Sequence, residues 1–82
     1  MLRVGELVRH ALSDLLTRGE IVDPALEGKV ITVPEVRMSS DLKLASAYVM
    51  PLGGIGADEV VAALNHHHRF IRGRIAPQID LK

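Results

Sequence analysis

The sequence predicts an α+β domain in the order helix, strand, strand, helix. Three observations lead to this prediction: an amphipathic spacing of apolar residues near the N-terminus, two short strand-like runs around a polar turn, and a second amphipathic stretch after a glycine-rich loop. The chain has 82 residues, which is the length of one domain, so we expect a single domain over residues 1–82. Its core must be aliphatic, because Tyr48 and Phe70 are the only aromatic residues.

The first helix is predicted over residues 2–18. Apolar residues recur there with the i, i+3, i+4, i+7 spacing of an amphipathic helix, as in Val8, Leu12 and Leu15. Gly19 follows at the position where a residue in the left-handed conformation commonly ends a helix. A connector containing Asp23-Pro24 then leads to the strand region, because the residue before proline disfavours the helical conformation.

Two strands are predicted, over residues 30–38 and 44–50. The alternation of apolar residues changes phase at Pro34, so we expect a β-bulge or a sheet edge there. Between the strands, Ser39-Ser40-Asp41 has the short polar side chains that favour a turn. The two strands should therefore form an antiparallel hairpin.

The last predicted helix covers residues 57–76, after the loop Gly53-Gly54-Ile55-Gly56. Gly73 weakens its final turns, so we expect a kink in the later part of the helix. A two-stranded hairpin with two helices is only marginally stable. We therefore expect a further strand, either truncated from this chain or supplied by a partner.

The composition excludes several classes of function. No cysteine is present, which excludes disulfides, thiolate catalysis and cysteine-based zinc sites. No apolar run is long enough to span a membrane, and no signal-like segment begins the chain. We expect a monomeric cytoplasmic protein that contacts no membrane and binds no small-molecule substrate.

The sequence contains no convincing catalytic or metal-binding motif. His66, His67 and His68 are consecutive, so on a helix their rings point about 100° apart and cannot converge on one ion. The glycine-rich loop lacks the residues of a complete phosphate-binding motif. The acids are scattered without a pair at a fixed spacing, and we therefore expect no enzyme activity, no metal and no cofactor.

The second helix is the best candidate for a functional surface. Ten Lys and Arg balance ten Asp and Glu overall, yet residues 65–77 contain three Arg, three His and no acid. Arg69 and Arg72 are three residues apart and share a helix face, where guanidinium groups could contact backbone phosphates. The alternative is an ordinary solvated face. The candidate RNA-binding residues are Arg69, Arg72 and Arg74, with Arg3, Arg9, Arg37 and Lys43 as lesser candidates.

Several separated stretches resemble the ribosome-binding factor A family, a group of bacterial small-subunit assembly factors. The first is Arg3-Val4-Gly5-Glu6-Leu7-Val8-Arg9 and the second is the Asp23-Pro24 connector. The others are Ser39-Ser40-Asp41-Leu42 with Ala47-Tyr48-Val49, and Phe70-Ile71-Arg72-Gly73. Their order and spacing cover nearly the whole chain.

The resemblance implies a type II KH-like fold with a kinked C-terminal helix and a non-enzymatic function. It further implies binding to the free small (30S) ribosomal subunit and its rRNA, late subunit maturation, rRNA 5′-end processing and a role in cold adaptation.

The sequence departs from the family pattern in two places. The family's Ala-x-Gly kink is replaced by His67-His68-Arg69, with Gly73 as another flexible point, and the family continues beyond Lys82 into a strand. The alternative function is a protein–protein interaction module that uses the hairpin edge without RNA binding.

Overall fold

A computed structural model describes residues 4–41 and 43–79 of the protein. Its elements, in chain order, are α1 (Val4–Thr17), β1 (Ile31–Met38), β2 (Ala45–Pro51), α2 (Ala57–His66), α3 (His68–Ile75) and a 3₁₀ turn (Ala76–Gln78). The α+β class and the order helix, hairpin, kinked helix are confirmed, and they are consistent with a type II KH-like fold. The predicted helical residues 2 and 3 lie outside the described residues.

Helix α1 forms because its apolar residues lie on one face. Ala11, Leu12 and Leu15 are buried on that face. On the exposed side, Glu6 accepts hydrogen bonds from the Arg9 guanidinium. After the helix, Gly19 adopts the left-handed conformation with φ 66°, and its backbone N–H donates to the Leu16 carbonyl, which ends the helix as expected.

Strands β1 and β2 form an antiparallel hairpin, and the sheet has two strands among the described residues. Thr32 pairs with Met50 and Glu35 pairs with Tyr48, so one extra residue lies in β1 between these pairs. The extra residue falls beside Pro34, which has no backbone N–H to donate to a ladder. This irregularity confirms the predicted bulge.

The core lies between α1, β1 and α2. Val60 of α2 is 0% exposed and packs in the same cluster as Leu15 of α1 and Val33 of β1. Helix α1 approaches β1 closely at Gly5, where an added Cβ would lie 3.0 Å from the Val36 carbonyl oxygen. The core is therefore a thin aliphatic layer whose helices lie close to the sheet.

Strand β2 is covered much less than β1. Four consecutive residues at its start, Ala45 to Tyr48, are exposed, whereas Val33 of β1 is buried under the helices. No helix in the described residues is long and apolar enough to cross a membrane.

Truncating Val60 should destabilise the fold, because it leaves a cavity where no solvent reaches. We expect Val60→Ala to lower the free energy of unfolding by about 2 kcal/mol more than Val61→Ala. Val61 is the matched control, since it lies next in the same helix and is 43% exposed. Urea unfolding of both variants measures the difference, and equal stabilities would show that Val60 is not a core residue.

Candidate nucleic-acid interface

The long C-terminal helix is broken at His67, which separates α2 from α3. His67 has φ −96° and ψ 20°, outside the regular helical range, while its neighbours on both sides are helical. Its N–H donates to the Ala63 carbonyl, and its own carbonyl accepts from Ile71 N–H. The expected kink is therefore at the first of the candidate positions, and Gly73 lies within α3.

Two histidine side chains hold this break, which we call the helix joint (residues 66–68). His68 Nδ1 lies 2.9 Å from the Asn65 carbonyl oxygen, near the end of α2. His67 Nε2 lies 2.9 Å from Asp23 Oδ2, in the connector between α1 and β1. Among the described residues, no group of three or more His, Cys, Asp or Glu is arranged to hold a metal ion.

Arg69 and Arg72 lie exposed on α3, and we call them the cationic face. Neither forms an ion pair or a side-chain hydrogen bond with any residue that the structure describes. Helix α3 contains no acidic residue, so its guanidinium groups are not neutralised within the helix. Ile71 and Ile75 point toward the core instead, which keeps the cationic face directed to solvent.

Lys43 and Arg72 of the cationic face border the same groove. Lys43, Arg72 and His68 all border a groove of about 450 Å³ between β2 and the helices α2 and α3. The groove floor is apolar, with Val49 on the sheet side and Leu64 on the helix side. The structure therefore brings together two predicted candidates, Arg72 and Lys43, that are far apart in sequence.

The hairpin turn sets the position of Lys43. Asp41 Oδ1 accepts hydrogen bonds from the Ser39 hydroxyl at 2.6 Å and from Lys43 N–H at 3.1 Å. The Ser39 hydroxyl oxygen accepts from Leu44 N–H at 3.0 Å. Hydrogen bonding from Ser39, then from the Lys43 backbone, lowers the pKa of Asp41. The Ser-x-Asp pattern seen in the sequence thus has a physical role in closing the turn.

Three other predicted candidates are paired with acids. Arg9 forms an ion pair with Glu6, Arg37 with Glu35, and Arg74 with Glu20 of the connector. Hydrogen bonds to these partners raise the pKa of Arg9 and of Arg37. The Arg37 guanidinium also lies 5.6 Å from the centre of the Tyr48 ring.

These three residues remain predictions, as does Arg3, which lies outside the described residues. Each paired side chain would have to leave or share its carboxylate partner to contact a phosphate. Arg69, Arg72 and Lys43 need no such exchange, so they are the strongest of the predicted candidates.

Sequence reasoning missed Asp23 as a residue of this region. Its carboxylate accepts a hydrogen bond from Ala25 N–H at 2.9 Å and contacts His67. The Ala25 bond, followed by the His67 bond, lowers the pKa of Asp23. The Asp-Pro pair indicated only a helix-breaking connector, and nothing local to it points to a histidine 44 residues later.

Comparison with known proteins identifies the family. The family model described as ribosome-binding factor A matches residues 1–82. The chain belongs to the ribosome-binding factor A family. The chain is 67% identical to ribosome-binding factor A of Methylocella silvestris over 82 residues, which is all of this chain and 53% of that relative.

Other relatives agree. Ribosome-binding factor A of Nitrobacter hamburgensis is 59% identical over 81 residues, 99% of this chain and 59% of the relative. That of Beijerinckia indica is 61% identical over 82 residues, all of this chain and 58% of the relative. The chain thus spans little more than half the length of these curated relatives. No solved structure matches the chain.

Asp41 should stabilise the fold only above acidic pH. Its folded pKa is lowered, so the contribution is fully present above the unfolded value of about 3.9 and is lost as the pH falls through the folded value. We expect Asp41→Asn to be less stable than the parent protein at pH 7, with the difference narrowing below about pH 4. Thermal unfolding of both proteins between pH 7 and the acidic range measures this difference in stability.

Glu27→Gln is the control for this prediction, because Glu27 is exposed and its side chain forms no ion pair or hydrogen bond with described residues. An Asp41→Asn variant that matches the parent protein at pH 7 would contradict the role of this turn.

Proposed function

We propose that the protein is a cytoplasmic, ribosome-associated factor that binds the free small (30S) ribosomal subunit through its rRNA. It promotes late subunit maturation and rRNA 5′-end processing, and this activity matters most in the cold. Membership of the ribosome-binding factor A family supports ribosome association and a function in ribosome biogenesis. The observation that carries the RNA contact is the cationic face, Arg69 and Arg72, free of acidic partners among the described residues.

The proposed function requires binding and no chemistry. A protein that binds one conformation of the rRNA more tightly than another shifts the population toward that conformation by its difference in affinity. The protein acts as a monomer, without a cofactor or a small-molecule substrate. Shape and phosphate contacts carry the recognition, because the chain has too few aromatic residues for a base-stacking platform.

The cationic face suits phosphate contacts for a geometric reason. Arg69 and Arg72 are one helical turn apart on a helix held by Ile71 and Ile75, and Lys43 borders the same groove as Arg72. Guanidinium groups bind phosphate through paired, charge-assisted hydrogen bonds. Arg3, Arg9, Arg37 and Arg74 would add lesser contacts.

Reversing the charge of the cationic face should abolish binding. We expect Arg69→Glu with Arg72→Glu to remove co-sedimentation with purified small subunits while helix content stays unchanged, because both side chains are exposed. The charge control is Arg18→Glu with Lys29→Glu, which changes the net charge equally at residues outside the proposed contact set. These substitutions break ion pairs with Asp14 and Glu59, so thermal unfolding must show that the control variant is folded at the assay temperature.

Salt dependence provides a second test of the same proposal. Binding through phosphate contacts should weaken steeply as salt rises, because each contact releases counterions from the RNA. Replacing Arg69 or Arg72 singly should reduce the slope of this salt dependence by about one, as expected when one phosphate is no longer neutralised. Unaltered binding of the double variant to small subunits would remove α3 from the interface.

A second candidate function is protein binding at the hairpin edge. Strand β2 pairs only with β1 among the described residues, and Tyr48 and Met50 within it are exposed, as is Leu44 just before it. An open strand edge with apolar side chains can accept a strand from another protein. Such binding would depend little on salt and would survive charge reversal on α3, which distinguishes it from rRNA binding.

A further inference from the structure

One side-chain contact joins the connector to the helix joint. Asp23 Oδ2 and His67 Nε2 are 2.9 Å apart, although the residues are 44 positions apart in sequence. The Asp23 side chain is 19% exposed and that of His67 is 27% exposed. Such partial burial shields the contact from solvent, so it holds the joint better than a fully exposed ion pair would.

The connector side of this contact is held in place by its own hydrogen bonds. Asp23 Oδ1 accepts from Ala25 N–H, and the Asp23 backbone carbonyl accepts from the N–H groups of Leu26 and Glu27. Leu26 is itself buried in the core. The Asp23 carboxylate is therefore held relative to the core by hydrogen bonds that do not involve His67.

The other side of the contact is the residue at which the helix changes conformation. His67 alone separates α2 from α3, and α3 has a single buried residue, Ile75. A short helix with so little burial takes its direction largely from the joint. The ion pair of Arg74 with Glu20 adds a second link between α3 and the connector.

We propose that Asp23 and His67 are positioning residues for the RNA interface. Their contact fixes the direction of α3 and thereby the placement of Arg69 and Arg72 relative to the rRNA phosphates. This inference rests on the function proposed above. Neither residue needs to touch RNA, and breaking the Asp23–His67 hydrogen bond lowers the fraction of molecules in which the cationic face is correctly placed.

The proposal predicts that the strength of this contact differs between the neutral and the charged form of an imidazole. A protonated imidazole donates a charge-assisted hydrogen bond to a carboxylate, which is stronger than the neutral form of the same bond. Among the described residues, Glu20, which is paired with Arg74, borders the same surface cavity as His67, and the ring centre of His66 lies 5.1 Å from that of His67. Histidine is the side chain that changes charge between pH 5 and 8, so binding should tighten from pH 7.5 to pH 6.

An effect of charge alone predicts the opposite change in binding when the Asp23 carboxylate is removed. Protonated histidines near the interface attract phosphate directly, and an acid near them opposes that attraction. If only charge mattered, Asp23→Asn would bind small subunits more tightly than the parent protein. If Asp23 positions the helix, the same substitution weakens binding, most strongly at pH 6.

The experiment measures the affinity of the full chain for purified small subunits at pH 6 and pH 7.5, at constant ionic strength. Asp23→Asn keeps an oxygen for Ala25 N–H, removes the negative charge, and places an amide donor where the Oδ2 acceptor faced His67. We expect about fivefold weaker binding at pH 6 and a smaller reduction at pH 7.5, as follows if the correctly placed fraction falls to about one fifth. Glu27→Gln, which removes the same charge from the same connector, should match or slightly exceed the parent affinity.

His67→Gln serves as the conservative partner variant, because its amide can donate to Asp23 without titrating. It should bind close to the parent protein at pH 7.5 and gain less on acidification. Circular dichroism must show equal helix content in all variants. Tighter or equal binding by Asp23→Asn at pH 6 would overturn the positioning role. Failure of the parent protein and Glu27→Gln to bind at all would instead contradict the proposed function.

Discussion

The close packing of α1 on β1 is the constraint on which the rest of the structure depends. A two-stranded hairpin has only marginal stability by itself. This chain has one Tyr and one Phe, so few large side chains are available to bury apolar surface. The helix must therefore approach the sheet closely, which Gly5 permits because a side chain there would contact the Val36 carbonyl. Once α1 lies on β1, Val60 of α2 fills the remaining space with complete burial.

The same thin core explains why the candidate interface is where it is. The core covers β1 and α2 but holds α3 mainly through Ile75, with Ile71 partly buried beside it. A helix attached along one narrow line leaves the rest of its circumference to solvent. Arg69 and Arg72 occupy part of that free circumference, and Arg72 and Lys43 both border the groove beside β2. Arg69 and Arg72 are thus exposed because the small core packs against only one side of α3.

Local patterns in the sequence predicted the local features well. The periodicity of α1 and the phase change at Pro34 each depend on neighbouring residues, and both features are found in the structure. The partners of the cations could not be predicted in the same way. Arg74 meets Glu20 across 54 residues, whereas Arg69 and Arg72 meet no acid among the described residues. In the sequence these arginines look alike, and only the tertiary arrangement separates them.

The histidine triplet shows most clearly what sequence spacing can and cannot determine. Spacing predicts that three consecutive rings cannot share one ion, but it gives no reason for their presence. In the structure His67 meets a carboxylate and His68 meets a backbone carbonyl at the same break. The resemblance to the family implies a kink at an Ala-x-Gly sequence in this position. Here the break coincides with side-chain hydrogen bonds of His67 and His68, so polar contacts of the side chains accompany the bend.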